Sequence, residues 1–275
     1  MPQERVASPL MLELEPVVSE PSPRHIEAAT PWYPHDHVPF DRGQNFASLG
    51  GRDWDPAQVT LPDHVVDAAE IMLITKDALV GQHHRLAEHF LLTGWWGKWV
   101  GRWAADENLH AFALRQNLVL TRQIDPIANE MVRVEHVTKG QDTDDHTQVE
   151  AMVLMALRES THAVFLRRLA ARIEEPVLRR LVEVIAADDE RHETFFAEIV
   201  RACLRIVPAA TISAIVARAL ELEVVGADIE AYEGKVRNVA ESGIFGQDTL
   251  RDAISDRIKK WNLAGLPELS NFVVA

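Results

Sequence analysis

From Pro62 onward, apolar residues recur every three to four positions in long stretches separated by short polar or proline breaks, the period of amphipathic helices. The first stretch predicts one helix from Asp63 to Phe90, opened by Pro62-Asp63 and closed before Gly94. A second runs from about Trp96 to Arg122, with Trp96, Trp99, Val100, Trp103 and Leu114 on its apolar stripe, and stops at Pro126. A third follows the polar break Gln141 to Asp145 and carries Val149, Met152, Ala156, Ala163 and Leu166. A fourth opens near Pro176 and carries Leu178, Val182, Ile185, Phe196 and Cys203. Further helical patterns run from Ala209 to about Glu241 and from Asp248 to Trp261. No repeat or linker divides this region, so residues 61–275 predict an all-α antiparallel bundle. Residues 1–60, rich in proline and turn signals, predict an irregular N-terminal arm packed on it, the whole forming a single domain.

Ionisable residues interrupt all four stripes. Lys76 lies on the first, Glu107 and His110 on the second, Glu159 with His162 on the third, and Asp189 and His192 on the fourth. A buried carboxylate without a partner costs several kcal/mol, so inward acids must be paired, protonated or bound to a cation. Glu107-x-x-His110 and Asp189-x-x-His192 each set a carboxylate and an imidazole about one helical turn apart on one face, a geometry that suits one metal ion per pair. One such motif alone is commonplace on solvated helix faces. Two on apolar stripes, with Glu159 from a third helix, match most of the dimetal carboxylate arrangement built between four helices.

Composition narrows the partners. Hydrophobic residues make up 47% and charged residues 25%, as in ordinary globular proteins, which excludes a disordered or fibrous chain. The net charge of −14 opposes steering onto nucleic acid or an anionic membrane, and no run of roughly 20 apolar residues is available to span a bilayer. Cys203 is the lone cysteine, and the N-terminus lacks the basic segment and apolar run of a signal peptide; both point to the cytoplasm. Arg167, Arg168, Arg172, Arg179, Arg180 and Arg191 make one basic region, suited either to docking an acidic partner or to plain solvation, with the first five as the docking candidates. Trp95, Trp96, Trp99 and Trp103, at helical spacing, predict core or dimer packing.

Two segments carry a family resemblance. Trp103-Ala104-Ala105-Asp106-Glu107-Asn108-Leu109-His110 and Ile185-Ala186-Ala187-Asp188-Asp189-Glu190-Arg191-His192-Glu193-Thr194 resemble the di-iron helices of the soluble acyl-carrier-protein desaturases, whose segments read W-T-A-E-E-N-R-H and I-A-A-D-E-K-R-H-E-T. The similarity extends through Ile74-Thr75-Lys76-Asp77-Ala78-Leu79, Arg158-Glu159 and the flank of Trp261, covering roughly residues 20 to 270. The resemblance implies a ferritin-like bundle, commonly a homodimer, that holds two irons. It also implies dioxygen and electrons from a ferredoxin-type donor, used to desaturate an acyl chain carried on acyl carrier protein during fatty-acid biosynthesis. Position by position, it makes Glu107 and Asp189 bridging ligands, His110 and His192 terminal ligands, and Glu159 the terminal carboxylate of one iron. Trp32 falls where the family has a surface tryptophan that relays electrons with the counterparts of His110 and Asp188.

Three positions depart from the family pattern. Lys76 stands where the family has glutamate, which removes one carboxylate and brings in a cation; Asp189 is a methylene shorter than the family residue. His162 makes Glu159-Ser160-Thr161-His162 a further Glu-x-x-His, read either as an added ligand to a single metal or as a core histidine bonded to a carboxylate. Lys76 itself reads either as leaving room for one metal or as an internal salt bridge to Glu107 or Asp189 that replaces the metal. The leading expectation is therefore a desaturase, with two irons implied by the resemblance and one or none allowed by Lys76 and Asp189. The alternative is a catalytically impaired homologue that binds an acyl chain or acyl carrier protein, and a weaker third is another ferritin-like oxidase.

Overall fold

The computed structural model describes residues 8–90, 93–139 and 146–274, and among these it is helical, without strands. Four helices form the centre: α4 (Asp63–Asp77), α6 (Gly94–Leu120), α8 (Gln148–Ala170) and α9 (Pro176–Ile206). Helix α8 packs along α9, and α4 and α6 close the group by packing on each other and on that pair. Local chemistry fixes where the long helices begin. Thr147 and Glu150 form a reciprocal capping box at the start of α8, and the Glu175 carboxylate accepts from the Leu178 N–H just ahead of Pro176 in α9.

The remaining helices clad this centre. They are α1 (Pro9–Ser19), α2 (Pro21–Glu27) and the short α3 (Pro34–His37) in the N-terminal region, α5 (Leu79–His89), α7 (Pro126–Lys139), α10 (Pro208–Glu221), α11 (Glu233–Glu241) and α12 (Gln247–Lys260). Gly226, at φ +88°, turns the chain after α10 so closely onto α4 that a Cβ there would lie 2.5 Å from Ile71 Cγ2, which reserves the position for glycine.

Three expectations need correction. The stretch from Asp63 to Phe90 is two helices, because Ala78 (ψ 2°) redirects the chain between α4 and α5. Neither glycine nor proline marks that break, and the apolar period runs across it. The region 1–60 is more regular than expected: α1 and α2 are helices, and Met11, Leu14 and Val18 of α1 join the core. Pro9, Pro21 and Pro34 open helices at their first turn, where the missing N–H has no helical partner to lose, whereas Pro16 lies inside α1. Helix α7 stands where the sequence reading takes Pro126 only as a stop. The polar break from Gln141 to Asp145 lies outside the described residues.

Cys203 is fully buried, with Sγ 3.5 Å from Met152 Sδ, and burial pushes its thiol up to about 12. The thiolate is the reactive form. Iodoacetamide at pH 8 will therefore leave the native chain unlabelled, and stoichiometric labelling will appear only across the unfolding transition, as read by intact-mass spectrometry.

Candidate metal centre

The four central helices bring the charged residues of their stripes to one buried place. Glu107 from α6, Glu159 from α8, and Asp189 and His192 from α9 each offer a ligand atom, and these four atoms lie within 4.8 Å of one another. Two of the donors are poised for a cation: Glu159 Oε2 and His192 Nδ1 are buried without a hydrogen-bond partner. A set of three carboxylates and one imidazole suits iron and other divalent metals that accept mixed oxygen and nitrogen ligands.

Lys76 fills the other half of the site. Its ammonium lies 2.8 Å from Glu107 Oε1 and 2.7 and 2.8 Å from the two oxygens of Asp189, so its three N–H donors are all engaged. Burial works against the ammonium, yet Asp189, Glu107 and Glu159 together raise its pKa above the ordinary lysine value. The same contacts act on the acids. Burial opposes ionisation of Glu107, but Lys76, the hydrogen bond of His110 and the nearby His192 imidazole hold it well below the usual carboxylate range. Asp189 moves the other way, raised by burial and by the neighbouring carboxylates against the pull of Lys76. The residues present thus fit one metal ion beside Lys76. A second ion in contact with Glu107 and Asp189 would meet the ammonium directly.

Around this set lies a reciprocal outer arrangement. His110 Nε2 sits 3.1 Å from Asp188 Oδ2 and its Nδ1 3.2 Å from Glu107 Oε1, whereas His192 Nε2 sits 3.3 Å from Asp106 Oδ2. Each histidine is therefore oriented by the aspartate of the opposite helix, and Arg191 reaches both aspartates. The Trp103 indole N–H donates to Glu159 Oε1 at 2.8 Å. The supporting roles of Asp106, Arg191 and Trp103 were missed in the sequence, which put Arg191 with the basic region and Trp103 in plain packing, whereas Arg191 is turned inward onto the two aspartates. The signal was present in the aspartate that precedes the ligand acid in both Asp106-Glu107-x-x-His110 and Asp188-Asp189-x-x-His192.

Trp32, His110 and Asp188 come together as a unit. The Trp32 indole donates to Asp188 Oδ2 at 2.8 Å and stacks on His110 with ring centroids 6.1 Å apart and planes 8° from parallel. His162 is buried near the set, but none of its atoms belongs to the four-atom group. Burial, with the charges of Lys76 and Arg158, pushes it well below the usual histidine value, so it is neutral, and its Nδ1 has no hydrogen-bond partner. Of the basic region, Arg167, Arg168, Arg172, Arg179 and Arg180 are exposed, and Arg191 is not. Arg167 pairs with Glu190, Arg168 donates to the carbonyls of Ile244 and Gly243, and Arg179 donates to that of Ile173. Arg172 and Arg180 form no ion pair among the described residues.

Comparison with known proteins places this arrangement. The family description "Fatty acid desaturase" matches residues 7–273. The chain is 57% identical over 273 residues to "Putative acyl-[acyl-carrier-protein] desaturase DesA2" of Mycobacterium tuberculosis, covering 99% of each. It is 32% identical over 263 residues to the similarly named DesA1 of that organism, covering 92% of this chain and 78% of DesA1. An X-ray structure of the M. tuberculosis DesA2 protein superposes with a TM-score of 0.86 at 52% identity, over 97% of this chain and 100% of that one.

Two predictions follow from the geometry. Lys76→Met leaves Glu107 and Asp189 buried without their cation, so in chelator the variant should lose about 3–5 kcal/mol in urea denaturation, part of it regained on adding a divalent metal. Against its burial, His110, Trp32 and Arg191 hold the Asp188 carboxyl far below its unfolded value of about 3.9. Its contribution is therefore complete above that value and lost as the pH falls toward the folded one. Asp188→Asn should be less stable than wild type at pH 7, with the gap narrowing at pH 3. A gap that stays constant would mean the carboxylate charge contributes nothing. Matched over nearly its whole length by the family description, and keeping the crossed acid and histidine pairs, the chain belongs to the fatty acid desaturase family.

Proposed function

We propose that this protein is an acyl-carrier-protein desaturase, an oxidoreductase that uses dioxygen to place a double bond in an acyl chain held on acyl carrier protein. The observation that carries the reading is the buried donor set of Glu107, Glu159, Asp189 and His192, flanked by reciprocally oriented histidines, in a whole-chain relative of proteins that bear that name. Iron held there would supply the dioxygen activation needed to take hydrogen from an unactivated methylene, chemistry beyond any side chain.

The chain's own residues prepare the site. Asp106 and Asp188 fix the ring orientations of His192 and His110, and Trp103 fixes one oxygen of Glu159. Trp32 is half-buried and reaches His110 and Asp188 together, which supports a role in passing electrons inward from a ferredoxin-type donor. Arg172 and Arg180, exposed and unpaired among the described residues, are the arginines of the basic region with charge to spare for an acidic carrier protein. Ile127, Met131 and Val134 lie exposed along one stripe of α7, which supports a homodimer. No described helix is long and apolar enough to cross a membrane.

One observation favours a second reading. The engagement of all three Lys76 donors by Glu107 and Asp189 suits a homologue that keeps the fold and its acyl partner but not the full reaction. One experiment separates the two. Wild type and Lys76→Glu are loaded anaerobically with ferrous iron, assayed for iron per chain, and supplied with acyl-carrier-protein substrates, reduced ferredoxin and dioxygen, the acyl products being read by gas chromatography with mass detection. Unsaturated product from wild type carrying at least one iron is the expected result, and Arg172→Glu with Arg180→Glu should raise KM without lowering kcat. Product from Lys76→Glu alone, with iron rising to two, would establish the second reading instead.

A further inference from the structure

A group of basic side chains outside the metal-ligand set, buried at Arg85 and Arg218 and half-buried at Arg158 and His146, has no role in the chemistry above. Helices α5 and α10 both pack on α8, and at that interface lie Arg85 from α5, Arg158 from α8, Arg218 from α10, and His146 just before α8. Arg85 and Arg218 are each only 7% exposed. Arg218 is partly neutralised, with Nη2 2.7 Å from Glu221 Oε1 and 3.6 Å from Glu150 Oε1. Arg85 forms no ion pair among the described residues. Burial, with the repulsion of Arg158 and Arg218, lowers its pKa only to about 10, so it remains charged at neutral pH.

The unsatisfied atoms of this group are all donors. Arg85 Nε and Nη1, Arg218 Nε and His146 Nδ1 are buried without a hydrogen-bond partner. His146 belongs with them because the Arg218 guanidinium, which can only donate, contacts His146 Nε2. That contact assigns the acceptor role to Nε2 and places the ring proton on Nδ1. No buried acceptor of the group is left over. A buried guanidinium without a counter-charge among the described residues, beside further unpartnered N–H groups, is a strongly unfavourable arrangement unless an anion completes it. The planar guanidinium fork matches a two-oxygen acceptor.

We propose that Arg85, Arg218 and His146 form a binding site for an oxyanion, a phosphate or carboxylate group, at the junction of α5, α8 and α10, with Arg158 adding positive charge. The anion would accept from Arg85 and from the other free donors, and would neutralise the buried Arg85 guanidinium, which has no carboxylate partner among the described residues.

Thermal unfolding of the full chain in sodium phosphate and in sodium acetate, at ionic strength held constant with sodium chloride, tests the site. Wild type should melt roughly 5 °C higher at a hundredfold excess of anion over Kd. Arg85→Met should not respond, and in chloride alone it should melt no lower than wild type, because it removes a charge that has no partner. Arg85→Lys, which keeps the charge without the fork, should respond less than wild type and guards against a folding failure in the methionine variant. A rise in phosphate alone assigns the site to phosphate groups, and a rise in acetate alone assigns it to carboxylates. No rise in either anion, or an equal rise in wild type and both variants, would overturn the proposal.

Discussion

The fold depends on neutralising negative charge inside its own core. Glu107, Glu159 and Asp189 are all buried within reach of one another, an arrangement that carboxylates alone cannot sustain. Lys76 is the internal answer. With no side-chain exposure and three contacts under 3 Å, it ties α4 to α6 and α9 by the same charge that lets those helices face their acids inward. The imidazoles of His110 and His192 complete the balance, and both are raised above the ordinary histidine value by carboxylate hydrogen bonds that outweigh burial. Packing and electrostatics are inseparable at this point, since the helices cannot approach without the cation and the cation could not be buried without the helices.

That balance also explains the cladding. Helices α1 and α2 pack on α6 and α9, where His25 sets its ring edge-on to Trp99 and Trp99 in turn lies edge-on to His192. The N-terminal region thereby keeps water from the charged centre while bringing Trp32 to its border. A polar core sealed by aromatic and aliphatic layers keeps the local dielectric low, which strengthens every pairing inside it.

Much of this was legible in the chain, for a reason particular to helices. An acid and an imidazole three residues apart on an apolar stripe must face inward, so Glu107, His110, Glu159, Asp189 and His192 identify themselves from periodicity alone. The contact of Lys76 with both Glu107 and Asp189 was readable only as one alternative, because which acids a lysine reaches depends on how α4 is rotated against α6 and α9. The break at Ala78 was not legible at all, since nothing in Asp77-Ala78-Leu79 differs from helix interior; Asp77 is engaged by Arg115, a tertiary partner, at that bend. The crossing of Asp106 to His192 and Asp188 to His110 was likewise hidden. Each aspartate adjoins its own helix's acid in sequence, and only the antiparallel approach of α6 and α9 hands it to the opposite histidine.

The same geometry makes the number of metals a question about one side chain. Two unit charges 4 Å apart interact by about 4 kcal/mol at an effective dielectric near 20, so a divalent ion beside a fixed ammonium meets roughly twice that repulsion. An ion on the Glu159 side can draw on Glu159 Oε2 and, with the ring deprotonated, on His192 Nδ1, neither of which forms a hydrogen bond. An ion on the His110 side finds Glu107 Oε1 and both oxygens of Asp189 already bonded to Lys76, and His110 Nδ1 held against Glu107. Filling that side requires Lys76 to leave, and because it is enclosed on the inner face of α4, leaving means moving a helix turn rather than rotating a surface chain. Under the proposed function, the residue type at position 76 on α4 would therefore bear on whether one ion or two could be held, with the rest of the donor set in place.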